Sequence, residues 1–268
     1  MFRTIVLALM ASVVWAQDAR AILTRSIEET SRTTRLAEQY TYRELTVDRE
    51  GSVTTTRLYE ILTLGGKRHR HLLEKDGKPL AEKDARKAQE ALDKALAEAN
   101  RITPEERQKR EEQTRRRNEQ ERDRLKYIPD AFDISLAGER SLNGRQVYEI
   151  RATPRASYHG KYDNILRNLR GTLFIDKADY QWVRMEAEAL DNISLGLVLA
   201  RIAKGSRFTF EVTKVNDEVW LPKRVTLDAT GRLALLKKID ASVDVTFSDY
   251  RKFQAESRIT SVSETVEK

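Results

Sequence analysis

The chain has 268 residues, a formal net charge of +7 and no cysteine. The lack of cysteine excludes disulfides, thiol catalysis, thiolate metal sites and a lipid-modified cysteine. The length is sufficient for one or two domains with their own hydrophobic core. The positive charge favours anionic partners such as a membrane surface, although a solubilising surface is the commoner reason for it.

Residues 1–16 have the pattern of a cleavable secretory signal peptide. Arg3 supplies the positive charge, Ile5 to Val14 form an uncharged apolar run, and the small residue Ala16 ends the segment. The run is too short to cross a bilayer, which needs about 20 apolar residues; a retained N-terminal anchor helix is the alternative. We therefore expect a mature chain that begins near Gln17 and is soluble in the periplasm, where nucleic acid is not a partner.

The first part of the mature chain predicts one helix followed by a three-stranded meander. Residues 18–36 carry a thin apolar stripe at helical spacing. The stripe consists of Ile22, Leu23, Ile27 and Leu36. Segments 40–47, 53–64 and 67–73 are rich in β-branched and aromatic residues, which predicts three strands joined by turns at glycines.

A charged helical hairpin is predicted over Leu80 to Lys126, inserted into the β domain. Its first helix has a narrow apolar stripe of alanines and leucines. Its second helix has strong start signals, because Thr103 can cap it, Pro104 takes the first helical position and Glu106 can complete a capping box. This second helix is almost wholly polar up to Leu125. We therefore expect it to project into solvent or to bind an envelope protein partner.

From Tyr127 onward the chain returns to β patterning. Strands are predicted over residues 132–138, 146–153, 171–176, 181–190, 206–215, 219–229 and 233–250. An Asn-Gly pair marks the first hairpin turn, and the last turn is expected at Thr230-Gly231. The expected fold class is α+β, mainly β. We expect one domain over residues 17–268, built on a curved antiparallel sheet or half-open β-barrel with covering helices.

Several strands alternate apolar and polar residues, which indicates one apolar and one solvated sheet face. On this pattern Val183, Met185, Ala187 and Ala189 share the apolar face. The N-terminal helix and residues 193–199 are expected to cover it, and incomplete cover would leave a cavity for acyl chains. The residues expected to line that cavity are Met185, Ile193, Leu195, Leu197, Leu199, Phe208, Phe210, Leu227 and Val245.

Reactive clusters are not evident in the sequence, which has no nucleophile motif and no phosphate loop. His69 and His71 share one face of a predicted strand, but no third metal ligand is evident, so a surface strand face is the preferred interpretation. Trp182 and Trp220 could be carbohydrate platforms, although core or rim positions are commoner for tryptophan. We expect no catalytic residue, no metal and no cofactor, and a chain that is not an enzyme.

Six segments of the second half, between Tyr127 and Phe253, follow one another in a recognisable order. They are Phe132 to Glu139, Leu142 to Pro154, Gly171 to Asp176, Trp182 to Glu186, Phe208 to Val212 and Val219 to Arg224. This order resembles the LolA/LolB-like superfamily of periplasmic lipoprotein carriers, which includes the sigma-factor regulator RseB. The charged hairpin departs from these carriers.

The resemblance implies a half-open β-barrel with helices over its mouth and an apolar cavity that binds acyl chains. The first hypothesis is therefore a non-enzymatic periplasmic carrier for a lipid or lipoprotein acyl chain. The alternative is an envelope interaction or structural protein with a closed core, which docks a partner through its charged hairpin.

Overall fold

The computed structural model describes residues 19–30, 39–195, 200–233 and 237–252, which form five helices and thirteen strands. The helices are α1 (19–30), α2 (Glu82–Arg101), α3 (Pro104–Leu125), α4 (Ile128–Ala131) and α5 (Asp163–Leu166). The first strands are β1 (Tyr40–Glu50), β2 (Val53–Leu64), β3 (Lys67–Lys75), β4 (Lys78–Pro79), β5 (Phe132–Leu142), β6 (Arg145–Pro154) and β7 (Leu169–Asp176). The others are β8 (Trp182–Ala189), β9 (Ile193–Leu195), β10 (Ala200–Ile202), β11 (Arg207–Val215), β12 (Val219–Leu233) and β13 (Lys237–Lys252).

The strands form one curved antiparallel sheet that does not close into a barrel. Its order is β4-β3-β2-β1-β13-β12-β11-β8-β7-β6-β5, and the β9–β10 hairpin joins it at the far end of β12. The edge strands β4 and β5 do not pair with each other, so the sheet stays open. The predicted fold class is confirmed. The predicted signal peptide lies outside the described residues, and no helix within them is long and apolar enough to span a membrane.

Strand β12 continues through the turn that the sequence predicted at Thr230-Gly231. Gly231 pairs with Ile239 of β13 on one side and with Ile202 of β10 on the other. A Cβ atom at residue 231 would lie 2.1 Å from the carbonyl oxygen of Arg201, which only a glycine avoids. The turn prediction was wrong because this glycine permits a close backbone approach between strands.

We expect the variant Gly231→Ala to lower the free energy of unfolding by about 1–3 kcal/mol, because the new methyl group forces β10 away from β12. Urea denaturation followed by circular dichroism measures this loss. The neighbouring exposed variant Thr230→Ala is the control, with an expected change within about 0.5 kcal/mol. Equal stabilities for the two variants would show that β10 does not need its place beside β12.

The main core lies between α1 and strands β6 to β8. Its buried residues are Ala19, Leu23 and Ile27 of α1 with Ile150, Leu173, Ile175 and Trp182 of the sheet. Within this core the Trp182 Nε1–H donates to the Oγ of Ser26 at 2.8 Å, so the indole nitrogen is satisfied where water does not reach. The expectation that the N-terminal helix covers the sheet is confirmed for its described part.

A second cluster lies on the other side of the same strands and contains Val147, Phe174, Val183 and Trp220. Here the Trp220 Nε1–H donates to Oδ2 of Asp179 at 3.1 Å. Both tryptophans are therefore core residues, which is the interpretation that the sequence favoured. Their rings are buried and do not form carbohydrate platforms.

The helical hairpin is present, and α3 begins with the predicted capping box between Thr103 and Glu106. The helix does not project freely, however, because both of its ends are attached. Arg110 donates to the carbonyl oxygen of Gly65 at 3.2 Å, and Leu125 packs against the α1 core. Fifteen residues, or about 22 Å along the helix axis, separate these two attachment points. The projection predicted for this helix is corrected: α3 connects the two halves of the sheet.

Candidate functional site

Strand register brings predicted lining residues from separate strands into one line. Met185 of β8 pairs with Phe210 of β11, Phe210 pairs with Val225 of β12, and Val225 pairs with Val245 of β13. Directly opposed residues in antiparallel strands have neighbouring side chains, so these four form a cross-strand row.

A second row lies two residues further along the same strands. It runs through Ala187, Phe208, Leu227 and Val243. Because side chains alternate with a period of two, both rows project from the same side of the sheet. We call the eight residues of the two rows the apolar face. Each of them is half-buried.

The side chains between these residues point to the opposite side, which is charged. The Arg184 guanidinium lies 2.6 Å from Glu186 and 3.2 Å from Glu211. Arg224 and Asp244 form a bidentate pair, and this hydrogen bonding lowers the pKa of the Asp244 carboxyl. The central sheet is therefore amphipathic across its thickness, as the alternation predicted.

A β-bulge changes the side on which Val183 lies. The register between β7 and β8 shifts at Val183, which has no partner in β7. Val183 packs with Phe174 and Trp220 in the second cluster, whereas Met185 packs against the α1 core. The predicted common face for Val183 and Met185 was wrong, because one extra residue in a strand reverses the alternation beyond it.

The apolar face joins a buried core at its β8 end. At the β8 end Met185 packs against the core beneath α1. The residues that β11, β12 and β13 contribute belong to none of the buried clusters of the described chain. Among the described residues, only the β8 end of the face therefore joins a buried cluster.

Strand β1 ends the apolar face on its other side. Val245 pairs with Thr46, and Val243 pairs with Asp48, whose carboxylate lies 2.7 Å from Arg57. The two rows are thus apolar from β8 to β13, a width of about 14 Å for three strand spacings. Such a surface carries no group for acid–base chemistry. It can bind a ligand by removing apolar area from water.

Residues 193–199 were expected to be a separate cover over this face. The structure instead places Ile193 to Leu195 in β9, paired with β10, and Ile193 is 2% exposed. This expectation was wrong for these three residues, because their backbone hydrogen bonds make them part of the sheet. Leu197 and Leu199 lie outside the described residues. Five of the nine predicted lining residues therefore meet on the apolar face, and Val225 and Val243, which the same alternation contains, were missed.

A cavity of about 650 Å³ lies along the outer side of α1. It is lined by Arg20, Ala21, Thr24, Arg25, Glu28 and Glu29. None of the predicted lining residues that the structure describes borders it, and its charged wall does not suit an acyl chain. The apolar face is thus distinct from this cavity.

The histidine pair of β3 is half-buried and does not face solvent as the sequence suggested. Nε2 of His69 and Nδ1 of His71 are both shielded from water and have no hydrogen-bond partner. Burial, and then the neighbouring His71, lowers the pKa of His69. The described ranges contain no group of three or more His, Asp or Glu side chains placed to hold a metal ion.

No family model and no curated protein matches the chain. Among solved structures, a putative outer membrane lipoprotein-sorting protein domain from Vibrio parahaemolyticus is 12% identical, with a TM-score of 0.38 over 91% of this chain and 95% of that one. A LolA superfamily protein from Nitrosomonas europaea is 7% identical, with a TM-score of 0.34 over 88% and 93% of the two chains. A chain of the Pseudomonas aeruginosa MucA/MucB complex is 9% identical, with a TM-score of 0.23 over 86% and 100%. A lipoprotein-sorting domain and a LolA superfamily protein are therefore among the solved structures to which this chain is similar.

Proposed function

We propose that this chain is a non-enzymatic periplasmic carrier that binds the acyl chain of a lipid or lipoprotein on its apolar face. The observation that carries the proposal is the pair of cross-strand rows, in which eight apolar side chains are half-buried on one side of the sheet. A contiguous apolar surface of this kind, still partly accessible to water, is a candidate binding surface.

The chemistry of the face fits an acyl chain better than a polar ligand. Each methylene group that leaves water for this surface contributes about 0.8 kcal/mol. No charged side chain belongs to the two rows, so the ligand part that lies on them has to be apolar as well. The signal peptide predicted over residues 1–16 supports a periplasmic location, where acylated lipoproteins and lipids are the expected cargo.

The test compares two variants of β11, each of which adds one positive charge on a different side of the sheet. Phe210→Lys puts a lysine on the apolar face, and it is expected to weaken the binding of a zwitterionic fluorescent lysophospholipid at least tenfold, because the charge must lose water beside the acyl chain. Thr209→Lys, one residue along, puts the same charge on the opposite side, across from Glu186, and binding is expected to stay within about twofold. Fluorescence titration measures both affinities.

Circular dichroism must show that Phe210→Lys is folded, since a lysine in this row could also unfold the sheet. Mass spectrometry of lipids that copurify with protein from the envelope fraction provides a second readout that needs no variant. If the wild-type protein shows no saturable uptake and carries no lipid, the carrier proposal fails. The docking of an envelope partner through α2 and α3 then becomes the leading hypothesis.

A further inference from the structure

A cluster of tyrosines lies where α3 ends. Tyr127 follows α3 and Tyr162 precedes α5, and their rings meet edge to face with centroids 5.9 Å apart. Tyr158 packs against the small cluster of Ala131, Phe132 and Ala152. All three tyrosines are half-buried, so each keeps part of its ring at the surface.

Tyr162 adopts a backbone conformation that is unfavourable for a bulky residue. Its φ is 64° and its ψ is 20°, in the left-handed region. The surrounding structure holds the residue there and thereby fixes its ring against Tyr127. Strain of this kind in a surface segment is a reason to look for a function.

Two cations lie beside these rings. The Arg124 guanidinium carbon is 5.7 Å from the centre of the Tyr162 ring, and the Lys161 Nζ is 5.3 Å from it. Lys161 also lies 5.9 Å from the Tyr127 ring. Both side chains are exposed, and neither forms an ion pair with a side chain that the structure describes.

Their neighbours differ in this respect. Lys126 pairs with Asp123 at 2.6 Å, and Arg167 lies 3.5 Å from Asp163. Arg124 and Lys161 are thus the two cations that bring positive charge directly to the tyrosine rings.

We propose that these five residues, Arg124, Tyr127, Tyr158, Lys161 and Tyr162, form a tyrosine–cation surface that docks the chain on an anionic lipid bilayer. Tyrosine suits the headgroup region of a membrane because its ring is apolar and its hydroxyl remains in water. Arginine and lysine beside it are attracted by the negative surface of anionic lipids. The two cations make an anionic bilayer the expected partner. The half-buried rings add an apolar contact with the bilayer, which a purely electrostatic interaction would not require.

The position of this surface fits the transfer of a lipid. Leu125 and Ile128, on either side of Tyr127, pack in the α1 core that also contacts Met185, the first residue of the apolar face. The bilayer contact and one end of the apolar face therefore share a cluster. The docking proposal goes beyond the carrier proposal and does not depend on it, because an empty protein could dock in the same way.

Vesicle flotation tests the docking surface. Wild-type protein is expected to float with vesicles of phosphatidylglycerol mixed with phosphatidylcholine, but not with phosphatidylcholine alone, and high salt should weaken the binding. The double variant Arg124→Gln/Lys161→Gln is expected to lose roughly 25-fold in vesicle affinity, since each basic residue near such a surface contributes about fivefold.

The matched control removes two other exposed cations of α3 that have no ion pair within the described residues, in the variant Lys109→Gln/Arg117→Gln. It has the same net charge, and its loss is expected to stay near twofold, since distant charges are screened. Equal losses in the two double variants would overturn the proposal in favour of diffuse attraction, and so would the failure of wild-type protein to float. Uptake of the fluorescent lysophospholipid, measured on the same variants, is expected to be unchanged, which separates a failure of docking from a failure of the carrier proposal.

Discussion

Replacing Asp176 with alanine is expected to lower the free energy of unfolding by about 3 kcal/mol, because the variant breaks a buried ion pair. Asp176 is 2% exposed. Its Oδ2 accepts from the Arg145 Nε–H at 2.6 Å, and its Oδ1 accepts the backbone N–H groups of Ala178 and Asp179 at 2.9 and 2.8 Å. Alanine removes all three hydrogen bonds and leaves Arg145, which is about a third exposed, without this carboxylate. That partial exposure places the expected loss at the lower end of the range for buried pairs.

The variant Asp176→Asn separates the contribution of the ion pair with Arg145 from the contribution of the hydrogen bonds within the turn. An asparagine oxygen can still accept the two backbone N–H groups, so we expect about half of the loss seen with alanine. Urea denaturation at neutral pH measures both variants. Wild-type stability in Asp176→Ala would mean that Arg145 and the turn find other partners at no cost.

The same carboxylate is expected to make the free energy of unfolding depend on pH. Burial alone would raise the pKa of Asp176, but the hydrogen bonds from Arg145 and from the N–H groups of Asp179 and Ala178 outweigh it and hold that pKa below its ordinary value. As the pH falls, the unfolded chain takes up this proton before the folded chain does, so the stabilisation is complete above about pH 4 and is lost below it. The stability difference between wild type and Asp176→Asn should therefore shrink as the pH falls below about 4.

Truncating Leu23 to alanine is expected to cost about 3–4 kcal/mol, since this side chain is fully buried between α1 and the sheet and its removal leaves a cavity. The adjacent Ile22 is only partly buried and contacts the edge of the same core, so Ile22→Ala should cost clearly less. Urea denaturation of the two variants gives the comparison.

The result also bears on the apolar face, because the core that Leu23 fills is the one that contacts Met185. A loss below about 1 kcal/mol for Leu23→Ala would show that α1 does not pack on the sheet in solution. The β8 end of the apolar face would then lack its packing against the core beneath α1. A loss of the expected size supports α1 as a fixed part of the fold.

Local pattern alone determined much of this protein. The alternation of Phe208 and Phe210 with polar neighbours was enough to predict which side of β11 is apolar, because a strand turns every second side chain to the same face. Thr103, Pro104 and Glu106 predicted the start of α3, because a capping box is made within four residues. Features of this kind depend on neighbours along the chain, which a sequence displays directly.

Only the tertiary structure decided the features that depend on a distant strand or helix. The bulge that turns Val183 away from Met185 exists in relation to β7, and Gly231 is required by the approach of Arg201 from another hairpin. The attachment of α3 depends on Gly65 and on the α1 core, which are remote in sequence from Arg110 and Leu125. No local period encodes these contacts, because their energy comes from packing and hydrogen bonds between segments that meet only when the sheet has formed.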